Sequence, residues 1–215
     1  MKIDAVLFDM DGTLIDSEPY WLASEIELMS EFGYEWTTQD QATCLGGPLE
    51  RVGQYMSDLA AGQREGSYFQ HSLVERVSQK FHSGISVVPG GLEMLFDVKR
   101  SNVPMALVSA SPRVLVQAAI DSLPELFFAT SISSTDVRNT KPDPESYLKA
   151  AAELHVEIGN CLVIEDSLTG VQSGSASGAW VVAIPHIVAI EPGPRIRVIN
   201  SLQSQTLESL ISLFD

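Results

Sequence analysis

From residue 85 onward, short runs of apolar and β-branched residues alternate with segments of helical length, and this alternation constrains the fold more than any other feature of the chain. Strand-like runs occupy residues 104–108, 161–164 and 180–184, with a weaker one at 127–132. Helical segments fall between and around them at 92–100, 112–122, 144–154 and 168–177. Such alternation predicts a parallel sheet with helices on both faces, a Rossmann-like, doubly wound α/β architecture. A further strand at residues 3–8 ends in the turn Asp9-Met10-Asp11-Gly12 and belongs with this set. Between it and the rest, the pattern is helical only. Trp21, Leu22, Ile26, Leu28, Met29 and Phe32 recur at helical spacing, with Pro19 in the first turn, where its missing N–H costs nothing. Helices over 48–60 and 67–81 follow. Residues 17–84 are therefore expected to form an all-α insertion after the first strand, with 1–16 and 85–215 making the sheet domain. Residues 191–205 give no clear pattern.

The chain has 215 residues, 45% hydrophobic and 19% charged, enough to bury a core. Its net charge of −15 opposes binding to nucleic acid or an anionic membrane. A small anionic ligand responds to one local site instead, so it is not excluded. Cys44 and Cys161 are far apart, with no zinc-ligand pattern around them, and His71, His82, His155 and His186 are scattered. Asp4, Asp9 and Asp11 are foreign to a secretory leader. The apolar stretch 180–190 is broken by Pro185 and His186 and is too short to span a bilayer. The expected setting is the cytoplasm, with a small molecule as partner. Oligomeric state is open, and a monomer is compatible with the sequence.

In an open parallel sheet, ligands bind beyond the carboxyl ends of the strands. Asp9 and Asp11 follow the first strand, Ser109-Ala110-Ser111 the strand 104–108, and Glu165-Asp166-Ser167 the strand 161–164. Lys141 lies in the loop Thr140-Lys141-Pro142-Asp143-Pro144. Acids, hydroxyls and one ammonium would thus share a rim. Converging carboxylates with no His or Cys partner suit Mg²⁺. One carboxylate can attack phosphorus, and a second, two residues on, can pass the proton. Ser109, the Ala110 N–H and Lys141 are suited to hold the phosphate oxygens. A chance Asp-x-Asp-Gly is expected roughly 0.05 times in a chain of this composition, and the later strand ends make the whole set more specific.

These segments resemble a known family. Asp9-Met10-Asp11-Gly12-Thr13-Leu14-Ile15-Asp16-Ser17 resembles the first motif of the haloacid dehalogenase-like phosphatases. Val108-Ser109-Ala110-Ser111, Lys141-Pro142-Asp143-Pro144 and Val163-Ile164-Glu165-Asp166-Ser167 resemble its second, third and fourth motifs in order. The helical block is similar to the family's small cap, and the likeness extends over residues 3 to about 185. The nearest look is to the sugar-phosphatase, phosphoglycolate-phosphatase and beta-phosphoglucomutase branch. The resemblance implies Mg²⁺ dependence, Asp9 as nucleophile and Asp11 as general acid/base. It also implies metal ligation by Asp9, the Asp11 carbonyl and Asp166, with Glu165 a ligand or beside them. The family's dehalogenases lack an acid at the position of Asp11, and its mutases carry a hinge histidine where this chain has Trp21. Both departures favour hydrolysis of a small phosphorylated metabolite through an aspartyl-phosphate. A phosphomutase and a non-catalytic phospho-ligand module are the alternatives. A carbon–phosphorus hydrolase would need a cap lysine, and residues 17–84 hold only Lys80.

Plainer roles remain open for several positions. Asp9, Asp11 and Gly12 could form only a turn. Ser109 or Ser111 could cap the helix that Pro112 opens, and Asp166 or Ser167 the helix after strand 161–164. Trp21, Trp36, Met29 and Met56 read as packing, and Cys161 as a small buried thiol. The glycine-rich loop Leu45-Gly46-Gly47-Pro48-Leu49-Glu50-Arg51 offers Gly47 and Arg51 as candidate substrate-specificity residues.

Overall fold

The computed structural model describes residues 2–45, 47–185 and 188–215; Gly46 and His186 of the features above lie outside them. The chain forms two compact units, residues 1–16 with 85–215, and residues 17–84.

The first unit is built on six parallel strands: β1 (Ala5–Phe8), β2 (Met105–Val108), β3 (Thr130–Ile132), β4 (Cys161–Glu165), β5 (Trp180–Ala183) and β6 (Ile196–Val198). Their order is β3-β2-β1-β4-β5-β6, so the chain winds outward one way from β1, then returns and winds the other way from β4. That reversal creates the crevice in which such folds bind ligands. β1, β2 and β4 are buried along their whole length, as expected of strands covered on both faces. Side chains alternate between the faces. Ala5, Leu7, Ala106, Val108, Cys161 and Val163 pack on one side with Tyr147, Ala150 and Val171. The intervening Val6, Phe8, Leu107, Leu162 and Ile164 are equally buried. Each such side chain contributes about 1.5–3 kcal/mol when withdrawn from water.

Among the described residues, the second unit holds four helices, α1 (Glu18–Ser30), α2 (Thr38–Cys44), α3 (Leu49–Leu59) and α4 (Gly66–His82). Its core gathers Leu28, Met29, Trp36, Cys44, Val52, Met56, Phe69 and Leu73, with Trp21 and Leu22 half-buried against it. These tryptophans and methionines are packing residues. The α2 helix is too short and polar to show a periodic face. It is fixed instead by a capping box in which Thr37 and Asp40 satisfy each other's backbone N–H groups. Asp40 also accepts from the hydroxyls of Tyr34 (3.2 Å) and Tyr55 (2.6 Å). Arg51 lies against Gly47: a methyl group at residue 47 would come within 2.1 Å of its Nη2.

Burial pushes the Glu25 carboxyl of this unit up to about 7. Between its ordinary value and that one, folded Glu25 keeps a proton that the unfolded chain releases. Stability must therefore fall as pH rises from about 4.5 to 7, by roughly 3 kcal/mol at most, and level off above. Urea unfolding from pH 5 to 8 should show this slope in the native chain and a shallower one in Glu25→Gln.

Among the described residues, the sheet unit carries five α-helices: α5 (Gly91–Arg100), α6 (Arg113–Asp121), α7 (Glu145–Glu153), α8 (Leu168–Ser177) and α9 (Leu207–Ser212). Only residues 130–132 of the run expected at 127–132 pair as a strand, while Phe127 and Phe128 are buried just before it. The stretch 191–205 supplies β6, and α9 follows it; both are too short for periodicity to declare itself. Cys44 and Cys161 are buried free thiols, and burial raises the latter to about 12. Among the described residues, no helix is long and apolar enough to cross a membrane.

Candidate active site

The loops that leave β1, β2 and β4 lie side by side because those strands are neighbours in register. Val6 pairs with Met105, and Ala5 with Cys161. After β1 the chain makes a tight loop in which Gly12 N–H donates to the Ile15 carbonyl at 2.8 Å. Gly12 has φ +83°, and a methyl group there would fall 2.3 Å from Asp166 Oδ2. Glycine is required twice, by the left-handed backbone and by the carboxylate pressed against it.

Asp9 is buried, and its Oδ1 accepts from Lys141 Nζ at 2.5 Å. Lys141, whose side chain is 4% exposed, also donates to the Val108 carbonyl (2.9 Å) and to Glu165 Oε1 (2.6 Å). Its Nζ thus bridges three strand ends. Asp143 fixes the start of α7 by accepting from the Glu145 N–H at 2.9 Å, and the Lys141–Pro142 peptide just before it is cis. Burial opposes the Lys141 charge, but the carboxylates of Asp9 and Glu165 outweigh it and hold its pKa well above the ordinary lysine value.

Glu165 is fully buried and saturated. Oε1 takes Lys141 and the Tyr147 hydroxyl (2.9 Å); Oε2 takes the N–H groups of Asp166 and Ser167 and the Ser167 hydroxyl. Ser167 caps α8 by accepting from the Gly170 N–H. Asp166 is therefore free of capping and accepts from the Thr13 hydroxyl at 3.2 Å. A methyl group at residue 170 would lie 1.7 Å from Glu165 Oε1. Gly170→Ala should consequently break this network and cost roughly 3 kcal/mol or more in denaturant unfolding.

Asp11 Oδ2 accepts from the hydroxyls of Ser109 (3.0 Å) and Ser111 (2.8 Å), while its Oδ1 is buried without a partner among the described residues. Ser111 is thus no helix cap: Pro112 precedes α6, and no side chain caps it. The Ser111 N–H donates to Ser109 Oγ at 2.9 Å, and Ala110 is exposed at the strand end. Ser111 and Tyr147 are site residues that strand-end inspection did not single out. Gly47 and Arg51 belong to the helical unit.

Carboxylate oxygens of Asp9, Glu165 and Asp166 lie within 4.8 Å of one another. Burial, then the Glu165 charge, raise Asp9 well above the ordinary carboxyl value and push Asp166 up to about 7. One ammonium cannot balance this cluster. The all-oxygen donor set fits a hard divalent cation.

A doubly wound sheet with acids, hydroxyls and a buried ammonium collected at its carboxyl rim defines an α/β protein with a polar strand-end site. The chain belongs to the haloacid dehalogenase-like hydrolase family, whose model matches residues 6–184. It is 29% identical to hexitol phosphatase B of Escherichia coli O157:H7 over 96% of this chain and 94% of that protein. It is 30% identical, over 85% of its length, to Protein SUPPRESSOR OF QUENCHING 1, chloroplastic, of Arabidopsis thaliana. The chain spans 18% of that plant protein, and 48% of a second plant relative. The structure of CbbY from Rhodobacter sphaeroides in complex with phosphate superposes with a TM-score of 0.81 at 22% identity, covering 97% of this chain and 99% of that one. The last likeness concerns the fold. A sugar phosphatase is thus among the proteins the chain resembles.

Proposed function

We propose that the protein is a Mg²⁺-dependent phosphomonoesterase acting on a small phosphorylated metabolite of the sugar-phosphate or phosphoglycolate type. The observation that carries this is the buried Asp9 carboxylate, 2.5 Å from Lys141 and within 4.8 Å of the carboxylates of Glu165 and Asp166. Asp9, the Asp11 carbonyl and Asp166 would hold the ion. Glu165, its oxygens engaged by five donors, anchors Lys141 beside them. Bound Mg²⁺ offsets negative charge on the carboxylates and on the phosphoryl oxygens.

Asp9 attacks phosphorus through a carboxylate oxygen, and the phosphorus–oxygen ester bond breaks. Asp11 gives the departing alkoxide a proton from Oδ1, the oxygen the two serine hydroxyls leave free. Lys141, Ser109 Oγ and the Ala110 N–H hold the phosphoryl oxygens as charge shifts onto them. Water then attacks the aspartyl-phosphate, gives its proton to Asp11, and frees phosphate with the Asp9 carboxylate restored. Residues 17–84 are assigned the role of a cap that selects the substrate, with Gly47 and Arg51 as candidate contacts. A cytoplasmic setting is part of the proposal.

The test is a panel of phosphorylated sugars and glycolate with phosphate detection. Free phosphate should appear with Mg²⁺ and disappear with chelator, and Mg²⁺ at a hundred times its Kd should stabilise the fold by about 2.7 kcal/mol. Phosphate retained on an isomerised sugar would replace hydrolysis by a mutase. Undiminished release in chelator would remove the metal.

A further inference from the structure

Tyr147 is the largest side chain fully withdrawn from solvent in the sheet unit, and packing alone does not explain its hydroxyl. Its ring sits in the apolar layer formed by Ala106, Val108, Val163 and Val171. Phenylalanine would fill the same space, and a buried hydroxyl is costly unless bonded. Here it is bonded to Glu165 Oε1 at 2.9 Å, the same oxygen that receives Lys141 Nζ at 2.6 Å. The ammonium also stands 5.0 Å from the centre of the Tyr147 ring. One residue thus touches the lysine with its ring and the lysine's anchor with its hydroxyl. Glu165 Oε2 is pinned by the chain that follows β4, so Oε1 is the side on which the anchor's pull can be adjusted.

We propose that Tyr147 is a positioning residue: by sharing Glu165 Oε1, it limits the carboxylate's hold on Lys141 and keeps the ammonium directed at the Asp9 side, where phosphate binds. This rests on the reading of Lys141 as a phosphate contact. With the hydroxyl removed, Lys141 becomes the only donor to Oε1 among the described residues and is drawn toward it. The ring, and with it most of the packing and the cation–ring contact, is retained in Tyr147→Phe.

The experiment is calorimetric titration of inorganic phosphate into the protein at saturating Mg²⁺, for the native chain, Tyr147→Phe, Lys141→Met and the double variant. Lys141→Gln replaces the methionine variant if that one does not fold. Tyr147→Phe should bind phosphate about tenfold more weakly, with a melting temperature close to native. In the Lys141 background the same change should add nothing, because Tyr147 acts through that side chain. Native-like phosphate affinity in Tyr147→Phe, beside weakened affinity in the Lys141 variant, overturns this proposal alone. An undiminished tenfold loss in the double variant also overturns it, since the tyrosine would then act independently. Native-like affinity in the Lys141 variant overturns the phosphate-site reading and this proposal with it.

Discussion

Replacing Asp9 by Asn should lower the turnover of an aryl phosphate in Mg²⁺ by at least about 10⁴-fold, or roughly 5.5 kcal/mol of barrier, and leave the fold standing. The amide oxygen can still accept from Lys141 Nζ, so the contact at 2.5 Å survives in neutral form. Burial and the Glu165 charge hold the native carboxyl well above its ordinary pKa, so the anion is an electrostatic burden on the metal-free fold. The neutral variant should therefore melt no lower than the native chain without Mg²⁺. Only the chemistry needs the charge. Steady-state rates and melting curves on one preparation check both halves, and full activity in Asp9→Asn would exclude this residue as nucleophile.

Lys141→Met should be damaging on both counts. The methionine chain is of similar length but brings no charge and no donors. Asp9, Glu165 and the Val108 carbonyl would each lose a bond from a side chain that is 4% exposed. Breaking a buried ion pair by deleting one partner costs about 3–5 kcal/mol, because the remaining charges stay buried. Turnover should drop by about 10² to 10³-fold from the lost contact to the phosphoryl oxygens. Mg²⁺ should return part of the lost stability by offsetting Asp9 and Asp166. Denaturant unfolding with and without Mg²⁺ measures this. A variant as stable as the native chain in both conditions would contradict the assigned role of the ammonium.

Much of this arrangement was legible in the sequence, and the reasons are specific. β1, β2 and β4 read clearly as apolar runs because both faces are covered. Each ends where chemistry-bearing side chains begin, so inspecting strand ends found Asp9, Asp11, Ser109, Glu165 and Asp166, which meet in space. Lys141 came from a loop, and its reach to three strand ends is visible only in three dimensions. What escaped was short or doubly encoded. The α2 helix is held by one capping pair, and β6 and α9 have too few residues to show a period. Ser111 sits where a helix cap belongs, yet its hydroxyl turns to Asp11, 100 residues away in sequence. Tyr147 occupies an ordinary core position of α7, and nothing local distinguishes a tyrosine whose hydroxyl finds a carboxylate from one that only packs. In both cases, the partner is distant in sequence.

In the proposed reaction, phosphate passes through Asp9. Mixing the protein with a turned-over phosphorylated sugar and Mg²⁺, quenching in acid within the first turnover and reducing with borohydride converts an acyl phosphate to homoserine. Peptide sequencing by mass spectrometry then locates it. Homoserine at position 9, absent when substrate or Mg²⁺ is omitted, is the predicted result. Homoserine at another acid, or none at any position while phosphate is being released, would contradict the account.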